Sequence, residues 1–422
     1  MNCLEKDNIP AGYKDSAVGI IPQEWEVKPV KDFGKVVTGN TPSTAEVSNY
    51  GDEYMFVSPA DLSDDKKYIL RTGKMLSLKG YAVSRKMPKG AILYTCIGST
   101  IGKIGIASCE LTSNQQINAV ICNDNNEYLY YALLFLTGRI KMLAGEQAVP
   151  IINKSDFERI KLAVPPLEEQ RKIAEILGVW DEAIEKQSRL IERLEVCKRA
   201  LMQCLLSGRT RFPGFTTPWQ KIKLGEIGKF EKGAGVPKDK ITSSGCKAIT
   251  YGEIYTKYNY VINNFASYID EETARESKQI SSGVILFAGS GETLEDIGKC
   301  VAFIDNDKAY AGGDIIIFNP TIEVDSLVLS YILNSPIAIA QKRRYGQGHS
   351  VVHIYQKDLA RIEFELPSLP EQKAIAEVLT TADNEIAIHR KKLDALRIQK
   401  RGLMQQLLTG KTRVKFRNYG NK

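Results

Sequence analysis

Two stretches of the chain repeat mostly apolar residues at alternating steps of four and three. The first runs through Ile173, Leu177, Trp180, Ile184, Gln187, Ile191, Leu194, Lys198, Leu201 and Leu205, and the second through Ile375, Leu379, Ala382, Ile386, His389, Leu393, Leu396, Lys400, Leu403 and Leu407. This spacing predicts two long helices, each with a heptad seam. Pro165 and Pro166, or Pro367 and Pro370, stand at the starts, acidic residues follow in the first turn, and Gly208 or Gly410 marks the end. A helix of about 39 residues rises roughly 58 Å, too far for a small globule to cover its stripe. The economical partner for each stripe is the other, paired antiparallel as duplicated units related by a two-fold axis would be. With the ends aligned, Trp180 faces Lys400 and Lys198 faces Ala382, so a lysine stem lies against an indole ring.

The rest of the chain has a different rhythm. Short runs rich in β-branched and aromatic residues, "GAILYTCIG" and "INAVICN" in the first part, "GVILFAGSG" and "DIIIFNP" in the second, are punctuated by Gly, Pro, Asn and Asp and predict strands. Helical patterns close each part, "EYLYYALLFLTGRIKML" and "VDSLVLSYILNSPIAIAQKRR". "VPPLEEQRKIAEIL" from Val164 realigns with "LPSLPEQKAIAEVL" from Leu366, and the match runs without gaps to "LMQCLLSGRTR" and "LMQQLLTGKTR". About 21 of the 47 positions from 165 to 211 are identical in the second copy. "WEVKPVKDFGKVVTG" from Trp25 likewise resembles "WQKIKLGEIGKFEKG" from Trp219. The chain is a tandem duplication, each unit a mixed α/β globule followed by one long helix.

A length of 422 residues, 43% hydrophobic, is enough for two or three domains with sizeable cores. The net charge of +7 and pI near 8.8 permit a polyanionic partner but are modest for a protein that holds bare DNA alone. The eight cysteines form no C-x-x-C pair and the three histidines add no ligand spacing, so no metal site is expected. His349 and His353 sit four apart in an apolar alternation that reads as strand. With no apolar signal core and no membrane-length run, a reduced, cytoplasmic protein is the expectation. "AGSGETLEDIGKC" and "CIGSTIGKIG" both miss the Walker spacing: Gly291 to Gly298 is too long and Gly98 to Gly102 too short, with Cys300 and Ile104 where Ser or Thr is needed. Metalloprotease, nucleophile-elbow, dinucleotide-binding and adenine-methyltransferase motifs do not occur, and nothing reads as catalytic. Two globules joined to an antiparallel rod form a ruler, the element that reading DNA half-sites about 34 Å apart requires.

The "PPLEEQRKIAEIL" and "PSLPEQKAIAEVL" helix starts, with their Leu-Met-Gln-x-Leu-Leu-x-Gly ends, strongly resemble the specificity subunit of a type I restriction-modification enzyme. The resemblance covers nearly the whole chain after the first dozen residues. It implies two target-recognition domains (1–164 and 212–366), a central spacer helix (165–211), a C-terminal spacer helix (367–413) and a basic tail (414–422). The fold class is α+β, two tandem α/β target-recognition domains, their long helices paired as an antiparallel coiled coil with pseudo-two-fold symmetry. The resemblance also implies a non-catalytic reader of an interrupted asymmetric double-stranded DNA site, docked to two methyltransferase subunits that use S-adenosylmethionine. It further implies translocase-nuclease restriction subunits that bring ATP and magnesium, with no cofactor bound by this chain itself. The short tandem repeats that some members carry beside the inter-domain helix do not occur around Ser207 to Phe215. The alternatives are a sequence-specific coiled-coil adaptor outside restriction and a nuclease of unfamiliar motif.

Base readout needs Asn, Gln, Arg or Lys on loops, with Ser, Thr and Lys on phosphates. The candidates in the first globule are Thr41 and Ser43, Arg85 and Lys86, Ser99, Thr100 and Lys103, and Asn114, Gln115 and Gln116. In the second they are Lys238 and Lys240, Tyr251, Ser290 and Thr293, and Lys342, Arg343 and Arg344. Turn chemistry and plain solvation compete for each of these residues.

Overall fold

The computed structural model describes residues 9–63, 66–145, 149–294, 296–348 and 351–414. They form two compact units: Met1–Ile191 with His389–Lys422, and Glu192–Ile388. Each unit contains one globule, part of the first long helix (Leu167–Leu205) and part of the second (Leu369–Leu408).

In the first unit a five-stranded sheet runs in the order Gly34–Thr38, Ile117–Cys122, Ile92–Thr95, Ile104–Ala107, Tyr68–Ile69. The "ILYT" and "INAVIC" runs lie adjacent and antiparallel at its centre, Ile92 opposite Val120, because both of their faces are buried. One face packs on a second five-stranded sheet through Val57, Met87, Leu93 and Leu111. The other meets the helix Asn126–Met142, whose start is capped by Asn125 Oδ1 accepting from the Tyr128 amide at 3.2 Å. Strand Glu26–Pro29 pairs with Lys161–Val164, so both ends of the globule meet where the long helix begins.

The second unit repeats this plan with four-stranded sheets, Gly228–Lys232, Ile315–Pro320, Val284–Ala288, Cys300–Phe303 in one, and Ser267–Ile269, Cys246–Ile249, Ala309–Ala311, Lys278–Ile280 in the other. Gln220–Lys223 pairs with Glu363–Leu366 as the counterpart of the strand pair above. The single helical pattern from Val324 is two helices, Ser326–Leu333 and Pro336–Tyr345. Pro336 has no amide hydrogen to continue the first, and Ser335 caps the second.

The long helices pack together antiparallel, the start of each beside the end of the other. In the first unit Ile173 and Leu177 share a core with Met404 and Leu407. In the second Leu205 shares one with Ile375 and Leu379. Of the remaining seam positions, Ile184, Ile191, Ile386 and Leu393 are buried, Trp180, Leu194, Leu396 and Leu403 half-buried, and Leu201 exposed.

Each seam lysine meets a carboxylate next to the residue that end-to-end alignment places opposite it. Lys400 pairs with Asp181, not Trp180, and the ring beneath its Nζ is Tyr131, 5.3 Å to the centroid. Lys198 pairs with Asp383, not Ala382, at 2.5 Å, over the rings of Tyr260 and Tyr331. Both lysines are buried, at 8% and 7% exposure for Lys198 and Lys400, so each needs a carboxylate, and an apolar indole does not supply one. Tyr131 and Tyr331 donate their hydroxyls to the same two aspartates. Burial first, then the carboxylate neighbour, pushes both phenols up, so they remain donors.

Candidate nucleic-acid interface

Where each helix end meets the other helix's start, a buried carboxylate closes the unit. Glu169, at 1% exposure, accepts from Trp25 Nε1 at 3.0 Å and from both Nε and an Nη of Arg413 at 2.8 and 3.0 Å. Glu371, also at 1%, accepts from Trp219 Nε1 at 3.0 Å and from Arg211 at 2.9 and 2.8 Å. These hydrogen bonds, above all that to Glu169, hold the Arg413 guanidinium further up than usual. Gln170 and Gln372 donate to the carbonyls of Pro165 and Pro367, fixing the first turns. At Gly410, φ +70°, a Cβ would lie 2.4 Å from the Pro22 ring, so the helix end accepts only glycine beside Pro22 and Trp25. The repeated motifs thus seat each globule on the helix pair.

The loops at the far end of the first unit's sheets bring several of the candidates together. Thr41 Oγ1 donates to Gln115 Oε1 at 2.5 Å, and Asn114 Nδ2 donates to Gln116 Oε1 at 2.8 Å. Asn40, absent from the sequence candidates although it stands in the "GNTP" turn, accepts from the Arg85 amide at 2.7 Å through Oδ1. Arg85 also donates to the Thr38 carbonyl at 2.8 Å. Ser43, Lys86 and Ser99 are exposed, Lys86 over the Tyr81 ring. Thr100 is half-buried, and so is Lys103, which donates to the Pro59 carbonyl.

In the second unit the candidates do not gather in this way. Lys238, Lys240, Arg343 and Arg344 are exposed, Thr293 is exposed and donates to Asp296, and Tyr251 is half-buried at a helix start. Two expectations are corrected. Lys342 is 1% exposed and donates to the Gly298 carbonyl at 2.7 Å, so its ammonium does not reach phosphate, and burial pushes its pKa down. Ser290 is buried, its hydroxyl 3.0 Å from His353 Nδ1 and its carbonyl accepting from Tyr255. In "QKRR" the helix turns Lys342 inward and leaves its two neighbours outside, which a run of basic letters cannot reveal. His353 lies in a short strand, as its alternation suggests; His349 lies outside the described residues. Among the described residues no group of His, Cys, Asp and Glu is arranged to hold a metal, and no helix is long and apolar enough to cross a membrane.

The family model of the type I restriction modification DNA specificity domain matches the chain twice, over residues 22–196 and 216–397. The chain belongs to this family. Among its relatives, the type I restriction enzyme MjaVIII specificity subunit of Methanocaldococcus jannaschii is 27% identical over 94% of this chain and 95% of that protein. The MjaIX specificity subunit of the same organism is 30% identical over 67% of this chain and 70% of that protein. The fold is that of the solved type I restriction-modification S subunit from M. genitalium, with a TM-score of 0.56 at 17% identity, covering 91% of this chain and 96% of that one. A second solved chain, from work on complex assembly of the type I system, gives 0.59 at 16% identity, covering 93% and 99%. Each match to the specificity-domain model takes in one globule and most of the long helix that follows it.

Proposed function

We propose that this chain is the non-catalytic specificity subunit of a type I restriction-modification enzyme, each globule reading one half of an interrupted, asymmetric DNA site. What carries the reading is the doubled specificity-domain match together with two globules of one plan whose far-end loops carry unlike residues. Like frames with unlike loops suit a site whose halves differ in sequence. In the first globule the reading surface is the group of Thr41, Arg85, Asn114, Gln115 and Gln116, with Ser43, Lys86, Ser99 and Thr100 toward phosphate. In the second, Lys238, Lys240, Arg343 and Arg344 supply the exposed cations and Thr293 a loop hydroxyl. The paired helices set the spacer and dock two methyltransferase subunits. Exposed apolar side chains on their outer faces, Val179 and Ile398 in one unit and Val196 and Ile388 in the other, support docking there. The partners bring S-adenosylmethionine for adenine methylation, and restriction subunits bring ATP and magnesium for cleavage; this chain supplies the address.

Adenine methylation mapped by single-molecule sequencing, in cells carrying the methyltransferase subunit with and without this chain, tests the proposal. A two-part motif present only with the chain is expected. Identical maps under verified expression would refute it.

A further inference from the structure

The two units can be aligned residue by residue through their backbone hydrogen bonds. In the first, the Cys96 amide donates to the Gln116 carbonyl at 2.8 Å, Gly39 to Ile117 at 3.0 Å and Asn40 to Ser113 at 3.0 Å. In the second, Gly289 donates to Asp314 at 2.9 Å, Gly233 to Ile315 at 2.8 Å and Ala234 to Ala311 at 3.0 Å. The loop 312–314 therefore occupies the place of 114–116, and Asp314 the place of Gln116. Sequence comparison conceals this, because Gly-Gly-Asp shares nothing with Asn-Gln-Gln and the facing turn is one residue longer, "GAGVP" against "GNTP".

That longer turn is strained. Val236 has φ +56°, alone among the described non-glycine residues in being positive, and its Cβ lies 3.5 Å from where a Cβ on Gly312 would be. A β-branched side chain in this region is costly and persists where the surroundings impose it, as they do at binding sites. Asp314 itself is exposed, and no described residue forms a hydrogen bond or ion pair with its carboxylate.

We infer that Asp314 is a specificity-determining residue of the second unit, selecting a cytosine through its exocyclic amino group in the major groove. The inference rests on the specificity-subunit reading above. A carboxylate facing the DNA backbone is repelled by phosphate, so on a reading loop it is tolerated where it accepts from a base edge. On its own base cytosine N4 is flanked by C5–H and not by an acceptor, whereas the adenine amino group adjoins N7 of the same base, which repels a carboxylate. Gln116 in the first unit carries the donor-acceptor pair that adenine matches.

The test is the methylation motif of the full chain, complexed with its methyltransferase subunit, on a plasmid library with randomised half-sites. Wild type, Asp314→Asn and Asp314→Ala are compared, with melting temperatures recorded. Asp314→Ala is expected to relax one cytosine position in one half of the motif, reducing discrimination by about 5- to 150-fold and leaving the other half unchanged. Asp314→Asn shifts that position toward adenine. An unchanged motif in both variants, or methylation falling equally at all sites, overturns the inference. Loss of methylation together with a lowered melting temperature assigns Asp314 a structural role and overturns it as well. A wild-type protein that yields no two-part motif removes the underlying reading itself, and this is seen before any variant is compared.

Discussion

Arg413 and Arg211 each clamp a buried carboxylate with two parallel hydrogen bonds. Replacing Arg413 by Ala leaves the Glu169 carboxylate buried with the Trp25 indole as its remaining strong donor, which costs about 3 kcal/mol of stability or more. Arg413→Lys recovers only part of this, since an ammonium lacks the fork that matches a carboxylate. Denaturant midpoints of the two variants check both statements; equal midpoints for wild type and Arg413→Ala would refute them. Lys342 gives a pH signature of opposite kind. Its folded pKa is lowered by burial, so the unfolded chain binds more protons over the interval between the two values, and stability rises with pH there, up to about 10.4. Relative to Lys342→Met, wild type is therefore expected to gain stability between neutral pH and about pH 10, as read by urea midpoints; a constant difference would exclude the effect. Sequence marked Trp25, Glu169 and Arg413 as letters that recur at Trp219, Glu371 and Arg211, but not as partners. Glu169 and Arg413 lie 244 residues apart, Glu371 and Arg211 160 apart, and no local pattern spans such distances.

Strands and long helices were legible because burial on both faces, or on one stripe, leaves a period in the letters. The split at Pro336 and the partners of the two seam lysines were less so. Apolar steps of four and three fix which face is inside but do not show which carboxylate a buried lysine will find. Removing one partner is thus expensive. Lys400→Ala is expected to cost about 3 kcal/mol, the low end for a broken buried pair because Asp181 keeps some solvent contact. Lys400→Met combined with Asp181→Asn recovers much of that loss, since the Tyr131 hydroxyl still has an amide oxygen to meet. A double-mutant cycle measured by denaturation reports the coupling, and additive losses would contradict it.

For the whole molecule, letters suggest divisions at helix ends, whereas the compact units divide within both long helices. The first unit owns residues from both termini of the sequence, Tyr13 donating to the Gly410 carbonyl at 2.8 Å. A chain ending at Ile388 should accordingly lose protection from hydrogen exchange in Asn126–Met142, which packs on the first unit's helix core, and keep it in Ser326–Leu333. Equal loss in both helices would speak against this division. The same closure gives the protein an order of assembly in time. At about 5–20 residues per second, the 244 residues between Glu169 and Arg413 take roughly 12–50 s to synthesise. Within that interval the ribosome completes everything from Glu192 to Ile388, including both members of the Arg211–Glu371 clamp. The globule that emerges first is the last to be finished, and its buried carboxylate waits for an arginine not yet made.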